Sequence, residues 1–176
     1  MSSARTATAT GMAVIPPAAF ALAAVGQRLL ARRRKRARQR SGTEDPQPAE
    51  RRCRGNCGRR VLSVGVSAAS VGLLVAGASQ LGEAETTLDA RHPSQASALV
   101  TTGVFAATRN PLYLGLTGLL VAHALWLGSR RALVPAGAFV LALDQLQIPA
   151  EEAALTEKFG KVYRAYCAQV PRWVVR

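Results

Sequence analysis

Four long apolar runs limit what this chain can fold into. They cover residues 12–27, 61–82, 111–128 and 132–143. The second run has 22 residues without a charge and the third has 18, while about 20 apolar residues in a helix cross the roughly 30 Å hydrocarbon core of a bilayer. One such run can form the core of a soluble domain, but four in a chain of 176 residues are hard to bury otherwise. The pattern predicts an all-α, polytopic transmembrane helical bundle of about four spans.

Polar stretches between the runs divide the chain into three parts. Residues 1–30 hold an N-terminal segment and a first transmembrane helix near 12–30, and residues 31–60 form a basic linker that we expect to be disordered. Residues 61–176 form the membrane core. Its spans are predicted near 61–82, 110–128 and 131–149, so the protein is expected to be an integral, multi-pass membrane protein.

The residues after Pro149 have a different pattern. Apolar side chains recur on one helical stripe, which consists of Leu155, Phe159, Val162, Tyr166 and Val170. This spacing predicts a C-terminal amphipathic helix over 150–170, lying along the membrane surface. In the second span, Ala68, Gly72 and Ala76 recur every four residues, a spacing that allows close helix contact. An alanine-rich helix shows the same spacing by chance, so this contact is one of two alternatives.

The net charge of +13 is concentrated in one place, because twelve basic residues lie between positions 31 and 60. In a soluble protein such a charge indicates a nucleic-acid partner. Between two apolar spans it indicates a topology signal or a contact for anionic lipid headgroups. We therefore expect the lipid bilayer, and no nucleic acid, as the partner of this segment.

Cysteine and histidine usage argues against a metal site. Three cysteines are too few for a disulfide framework, and neither histidine lies near Cys53 and Cys57 in the sequence. His123 is in the middle of a predicted span, where we expect a packed helix residue rather than a base. Residues 2–10 have the composition of a transit peptide but are short for one, so the targeting signal and the host membrane stay open.

Two polar clusters flank the apolar hairpin formed by the third and fourth runs. One runs from Thr101 to Tyr113 and the other from Glu151 to Tyr166. Folding the hairpin brings both clusters to one membrane face, where a carboxylate could pair with an ammonium group and aromatic faces could attract a sulfonium. The alternative is structural, with Glu151 and its neighbour stabilising a helix N-terminus and Arg109 lying at the membrane interface.

Both clusters resemble the isoprenylcysteine carboxyl methyltransferase and phospholipid methyltransferase family of integral-membrane enzymes. The resemblance covers residues 99–173 and rests on LVTTGVFAATRNPLYLG and EEAALTEKFGKVYRAYCAQVPRW. It implies a methyltransferase without a Rossmann domain that uses S-adenosyl-L-methionine. The implied acceptor is lipid-like or prenylated, methylated either on an isoprenylcysteine carboxylate or on a phospholipid nitrogen.

The resemblance also implies which residues form the site. The implied substrate contacts are Gln147 and Arg109, and no catalytic residue is assigned. The implied cofactor-binding residues are Ser97, Ala98, Leu99, Val100, Phe105, Asn110, Pro111, Leu112, Tyr113 and Glu151.

Two positions depart from the family pattern. Asn110 stands where the family's RHPxY motif has histidine, so this residue can donate a hydrogen bond but cannot titrate. Gln147 stands where isoprenylcysteine-modifying members have arginine. A carboxylate substrate would favour a cation there, so Gln147 weakens the assignment of an isoprenylcysteine acceptor. The cations that could replace this arginine are Arg109, Arg164 and Arg172. Asp144, near the end of the fourth run, is either a boundary residue or a substrate contact.

Other interpretations stay open on the sequence alone. The chain could be a catalytically silent membrane scaffold of the same fold, or a basic lipid-binding anchor that works through residues 31–60. Its orientation is also undecided. The positive-inside rule places the basic segment in the cytosol, whereas the supply of S-adenosyl-L-methionine requires the opposite face to be there.

Overall fold

The computed structural model describes residues 15–40, 49–84 and 98–174, and every regular element in them is helical. Short 3₁₀ turns at Gly103–Ala106 and Arg130–Ala132 precede the third and fourth helices, and a π-helical segment, Leu143–Gln147, joins the fourth to the fifth. The all-α prediction is confirmed for this part of the chain. In chain order the helices are α1 (Ile15–Arg40), α2 (Ala49–Glu83), α3 (Pro111–Leu127), α4 (Leu133–Ala142), α5 (Ile148–Phe159) and α6 (Lys161–Gln169).

Two helical stretches are long and apolar enough to cross a membrane. They are Asn56–Glu83, with 28 residues, and Arg130–Phe159, with 30 residues. These contain the predicted spans near 61–82 and 131–149. Helix α3 is apolar but has only 17 residues, about 25 Å of helix, and α1 does not meet the same criterion. Two of the four predicted spans are therefore supported within the described residues.

Most of the basic stretch 31–60 is helical. Helix α1 continues to Arg40 and α2 begins at Ala49, which differs from the disordered linker that composition predicts; residues 41–48 lie outside the described residues. Arginine, lysine and alanine are strong helix formers, so each apolar helix continues into the charged sequence next to it. The division of the chain into three domains stays a prediction.

Helices α2 and α3 pack antiparallel through a row of small residues on α2. Ser63, Ser70 and Gly77, each seven positions apart, are buried in this contact. The Ser63 hydroxyl donates to the carbonyl oxygen of Ala122 at 2.7 Å, and Gly77 lies against Leu112. Small side chains allow the two backbones to approach closely, and the serine hydroxyl is hydrogen-bonded within the pair.

The row of Ala68, Gly72 and Ala76, one of the two alternatives from the sequence, is not the one that packs. Ala68 and Gly72 are exposed, and a Cβ atom added to Gly72 would meet nothing within 4 Å. A spacing of four drifts around the helix, whereas a spacing of seven keeps a row facing its partner over the length of a helix pair. Of the two alternatives for Ala68, Gly72 and Ala76, the structure therefore supports chance spacing in an alanine-rich helix.

Helix α1 packs along α3 and α4, and a buried glutamine connects it to α3. Gln27 is fully buried; its Nε2 donates to the carbonyl oxygen of Leu120 at 2.9 Å, and its Oε1 lies 2.6 Å from Nδ1 of His123. Because an amide oxygen only accepts, Nδ1 of His123 carries the proton in this pair. His123 therefore takes part in helix packing, as the sequence predicts.

The fourth span continues past Pro149 without a break. Arg130–Phe159 forms one continuous helical stretch, with π-helical geometry at Leu143–Gln147 just before this proline. Proline lacks an N–H, and its ring crowds the carbonyl group four residues earlier, so a wider turn accommodates it. The predicted span to 149 and the predicted surface helix from 150 are therefore parts of one helical stretch, and the position of the membrane boundary stays a prediction.

The C-terminal helix is divided at Gly160. This glycine has a φ of 53°, so α5 ends at Phe159 and a new helix begins at Lys161. Leu155, Phe159, Tyr166 and Val170 of the predicted stripe pack together, but Tyr163, which is 3% exposed, joins them in place of Val162, which is 65% exposed. A single amphipathic helix over 150–170 was wrong because a left-handed glycine interrupts it.

We expect Gly115→Val to lower the free energy of unfolding by about 1–3 kcal/mol, because it overpacks the contact between α2 and α3. A Cβ atom at Gly115 would lie 2.6 Å from Cγ of Leu74 and 3.0 Å from the backbone oxygen of Ser70. The measurement is a sodium dodecyl sulfate titration of the protein in mixed micelles, followed by circular dichroism. Gly72→Val is the matched control, since its side chain enters open space; equal effects of both changes would contradict the packing.

Candidate active site

A tight turn between α3 and α4 places the two polar clusters at one end of the molecule. The turn begins at Gly128, a left-handed glycine with a φ of 64°. Helix α4 then runs back along α3, and its continuation into α5 carries Glu151 to the level of Tyr113, which lies in the first turn of α3. The prediction that hairpin folding joins the clusters is therefore realised in the structure.

Tyr113, Gln147 and Glu151 form a hydrogen-bonded group that we call the carboxylate centre. The Tyr113 hydroxyl donates to Oε1 of Glu151 at 2.5 Å, and Nε2 of Gln147 donates to the same oxygen at 2.7 Å. Neither bond engages the second carboxylate oxygen. Gln147 is 1% exposed, and its Oε1 is buried without a hydrogen-bond partner in the described part of the chain. The centre therefore offers buried acceptor atoms, which suit a ligand with N–H or O–H donors.

Glu152, the next residue, has a different role from Glu151. Its carboxylate receives Nη1 of Arg109 at 2.9 Å, together with Nη2 and Nε of Arg172 at 2.6 and 3.2 Å. The same Arg172 donates through Nη1 to Oδ1 of Asp144 at 3.0 Å. The hydrogen bond to Glu152 is the largest of the influences that raise the pKa of Arg172, so this residue stays a cation. These four residues form an ion cluster beside the carboxylate centre.

Hydrogen bonds to the backbone carbonyl groups of Pro171 and Arg172 hold the C-terminal segment against the residues just before α3. The carbonyl oxygen of Arg172 accepts from the Thr108 hydroxyl at 2.9 Å and from Nδ2 of Asn110 at 3.1 Å. The backbone N–H of Arg109 donates to the carbonyl oxygen of Pro171 at 3.0 Å. Asn110 is at the N-cap position of α3, but its side chain is used for this contact instead of capping the helix.

An aromatic cluster, formed mainly by tyrosines of α6, packs against the segment of residues 99–105. Tyr163, Tyr166 and Val170 are buried and pack against Leu99 and Leu155. The Tyr166 hydroxyl donates to the carbonyl oxygen of Phe105 at 2.6 Å. Burial raises the pKa of Tyr166 to about 12, so the phenol keeps the proton that it donates. The cluster thereby fixes residues 99–105 next to α5 and α6.

The predicted cofactor residues fall in three places. Tyr113 and Glu151 meet in the carboxylate centre, while Leu99 and Phe105 belong to the surroundings of the aromatic cluster. The others are spread around these. Asn110 bonds to Arg172, Pro111 is buried, Leu112 packs against Gly77 of α2, Val100 is half-buried, Ala98 is exposed, and Ser97 lies outside the described residues.

The two predicted substrate contacts, Gln147 and Arg109, belong to different groups of residues in the structure. Gln147 belongs to the carboxylate centre, whereas Arg109 is engaged by Glu152 and lies 2.7 Å from the sulfur of Cys167. Of the three cations that could replace the missing arginine, Arg109 and Arg172 are ion-paired and Arg164 is exposed. Gln147 itself is bonded to the carboxylate of Glu151 and not to one of these cations.

Sequence reasoning did not assign several residues that build this end of the molecule. Thr108 and Trp173 were not predicted as site residues, and Arg172 was named only as a possible replacement for the missing arginine. The indole N–H of Trp173 donates to Oδ1 of Asp144 at 3.1 Å. The one available signal was Asp144, because a carboxylate near the end of a membrane span requires a partner. In the structure Asp144 accepts hydrogen bonds from Arg172 and Trp173, and its two alternatives, boundary residue or substrate contact, stay predictions.

Comparison with known proteins connects this geometry to a family. A sequence model described as phospholipid methyltransferase matches residues 59–162, which is more than half of the chain and includes the carboxylate centre. An uncharacterized protein of Haemophilus influenzae is 43% identical over 63 residues, which cover 36% of this chain and all of that protein. No solved structure matches the chain.

We expect Glu152→Gln to lower the free energy of unfolding by about 2 kcal/mol, because Arg109 and Arg172 lose the carboxylate that compensates them. The loss is measured by sodium dodecyl sulfate titration in mixed micelles. Glu157→Gln, at an exposed position of the same helix, is the control with the same change of charge. An unchanged stability of the Glu152 variant would mean that the ion cluster does not hold the C-terminal segment.

Proposed function

Because this chain belongs to the phospholipid methyltransferase family, we propose that it is an integral-membrane methyltransferase that uses S-adenosyl-L-methionine. The proposed acceptor is a lipid-like or prenylated molecule. The observation that carries the proposal is the carboxylate centre. There Gln147 donates to Glu151 through Nε2, while its buried Oε1 has no described hydrogen-bond partner. Acceptor atoms in such a position favour a cationic ligand with hydrogen-bond donors.

The groups at this end of the molecule fit the proposed cofactor. Glu151 and Gln147 would accept hydrogen bonds from its amino or hydroxyl groups, and the faces of Tyr113 and Phe105 would attract its positive charge. The remaining proposed contacts come from residues that border these. They are residues 97–100, Asn110, Pro111 and Leu112.

The chemistry of methyl transfer requires mainly alignment from the protein. When bound, S-adenosyl-L-methionine would supply an activated methyl group on a positively charged sulfur, held beside the acceptor atoms of Gln147 and Glu151. Holding the two reactants in line can account for a large part of the rate acceleration in such a reaction. In the proposal, the bonds from Tyr113 and Gln147 keep the Glu151 side chain in one orientation, so that it positions its ligand.

The charges near the carboxylate centre favour one kind of acceptor. Arg109 and Arg172 already neutralise Glu152, and Gln147 stands where an arginine would receive a carboxylate substrate. An acceptor that is neutral or positively charged at the reacting atom suits these surroundings better than an anion. If that atom is an amine nitrogen, it must lose a proton before it attacks.

The proposal includes a multi-pass arrangement in which α1 and α3 also lie within the membrane. Helix α1 packs on α3 and α4 through one side, and its other side exposes large apolar residues. Leu22, Val25 and Leu29 are each more than half exposed. Apolar side chains on the outside of a helix bundle suit contact with lipid rather than with water.

The test is binding of radiolabelled S-adenosyl-L-methionine to the detergent-purified full-length protein. We expect saturable binding by the wild type and at least tenfold weaker binding by Glu151→Gln and by Tyr113→Phe, since each loses one part of the carboxylate centre. Glu157→Gln, exposed on the same helix, should bind like the wild type. Circular dichroism of each variant establishes that it is folded.

A folded wild type that does not bind S-adenosyl-L-methionine would overturn the proposal and favour a catalytically silent scaffold. Where binding is found, transfer of the labelled methyl group to lipids extracted from native membranes identifies the acceptor. A product stable to mild base indicates N-methylation, while a base-labile product indicates a methyl ester.

A further inference from the structure

The end of the helix bundle opposite the carboxylate centre is strongly basic. We call it the basic end. The fold gathers these residues from three separate parts of the sequence. Its exposed arginines are Arg28, Arg32, Arg33 and Arg36 on α1, Arg60 on α2, and Arg130 and Arg131 in the turn before α4.

Specific contacts hold the basic residues of α2 against the turn that connects α3 to α4. The guanidinium of Arg59 lies against Gly128, so closely that a Cβ atom there would overlap it. The guanidinium of Arg60 lies over the ring of Trp126, 5.2 Å from its centre. Helix α1 packs on the 3₁₀ turn Arg130–Ala132. These contacts make the basic end one continuous surface.

No described carboxylate neutralises this surface. The acidic side chains that the structure describes belong to the opposite half of the bundle, which also contains the carboxylate centre. In addition, Nε of Arg59 is buried without a hydrogen-bond partner in the described part of the chain. The charge and this unused donor both suit an anion with several acceptor oxygens. The acidic residues in question are Glu83, Asp144, Glu151, Glu152 and Glu157.

The surroundings of the basic end favour a lipid phosphate over a nucleic acid. The arginines of α1 continue directly from the exposed apolar side chains Leu22, Val25 and Leu29, and Trp126 is 51% exposed beside Arg60. Tryptophan and arginine next to apolar helix surface are typical of the level at which lipid headgroups begin. A single-stranded nucleic acid would require several aromatic faces for its bases, and Trp126 is the one described here.

We propose that the basic end binds the headgroups of anionic phospholipids in the leaflet that it faces. Arg60, Arg130 and Arg131 contact the phosphate groups, and Trp126 lies among the first carbons of the acyl chains. This binding does not depend on methyl transfer, because the basic end and the carboxylate centre are at opposite ends of α3.

The experiment measures quenching of Trp126 fluorescence by brominated lipids after reconstitution of the full chain into vesicles. All proteins carry Trp173→Phe, which leaves Trp126 as the single tryptophan. The vesicles are phosphatidylcholine with a small fraction of either brominated phosphatidylglycerol or brominated phosphatidylcholine. We expect stronger quenching by the anionic lipid, and about tenfold less enrichment of that lipid around Trp126 in Arg130→Gln/Arg131→Gln.

A matched variant separates a local effect from one of net charge. Lys161→Gln/Arg164→Gln removes two exposed cations from α6, at the other end of the molecule, and should keep the quenching of its parent. Equal quenching by both brominated lipids, or equal loss in both double variants, would overturn the proposal. A short RNA could also be added to the vesicles. If it abolished the quenching by the anionic lipid, and nuclease treatment restored that quenching, the proposal would be overturned and nucleic acid identified as the partner.

Discussion

The hydrogen bond from Tyr113 to Glu151 is the interaction on which the proposed site depends. It joins residues 38 positions apart in sequence and fixes the start of α3 against the start of α5. A bond to a carboxylate in a poorly solvated place is strong, so it holds this end of the helix hairpin closed. The adjacent carboxylate of Glu152 binds Arg109 and Arg172. Two neighbouring glutamates thus organise the site and the segment that borders it.

The parts of this arrangement that depend on local sequence could be predicted. The length of the apolar runs indicates helices, and the motif order around Asn110 and Glu151 indicates that a hairpin joins the two clusters. Tyr113 and Glu151 were predicted as site residues and prove to be in contact. The helices are encoded within one or two helical turns, where residue type and spacing are informative, whereas the pairing of Tyr113 with Glu151 was implied by the motif order and the family resemblance.

Features that depend on the exact phase of a helix could not be predicted. Gly160, with a positive φ, divides the last helix in two, and Tyr163 rather than Val162 is buried beside Tyr166 and Val170. The packing row of α2 depends on the angle between two helices, which residue spacing alone does not determine. Arg172 follows Pro171 without any periodic signal, and its partners Asp144 and Glu152 are brought near it only by the completed fold.

The continuous helical stretch from Arg130 to Phe159 sets a fixed distance between the basic end and the carboxylate centre. From Arg130 to Glu151 the helix rises about 32 Å, close to the thickness of a hydrocarbon core, which is roughly 30 Å. If lipid phosphates hold Arg130 at one surface, the carboxylate of Glu151 emerges at the other, where a water-soluble cofactor can meet a lipid acceptor. Under the proposed function, a thicker bilayer would draw that carboxylate into hydrocarbon, and methyl transfer would then depend on membrane thickness.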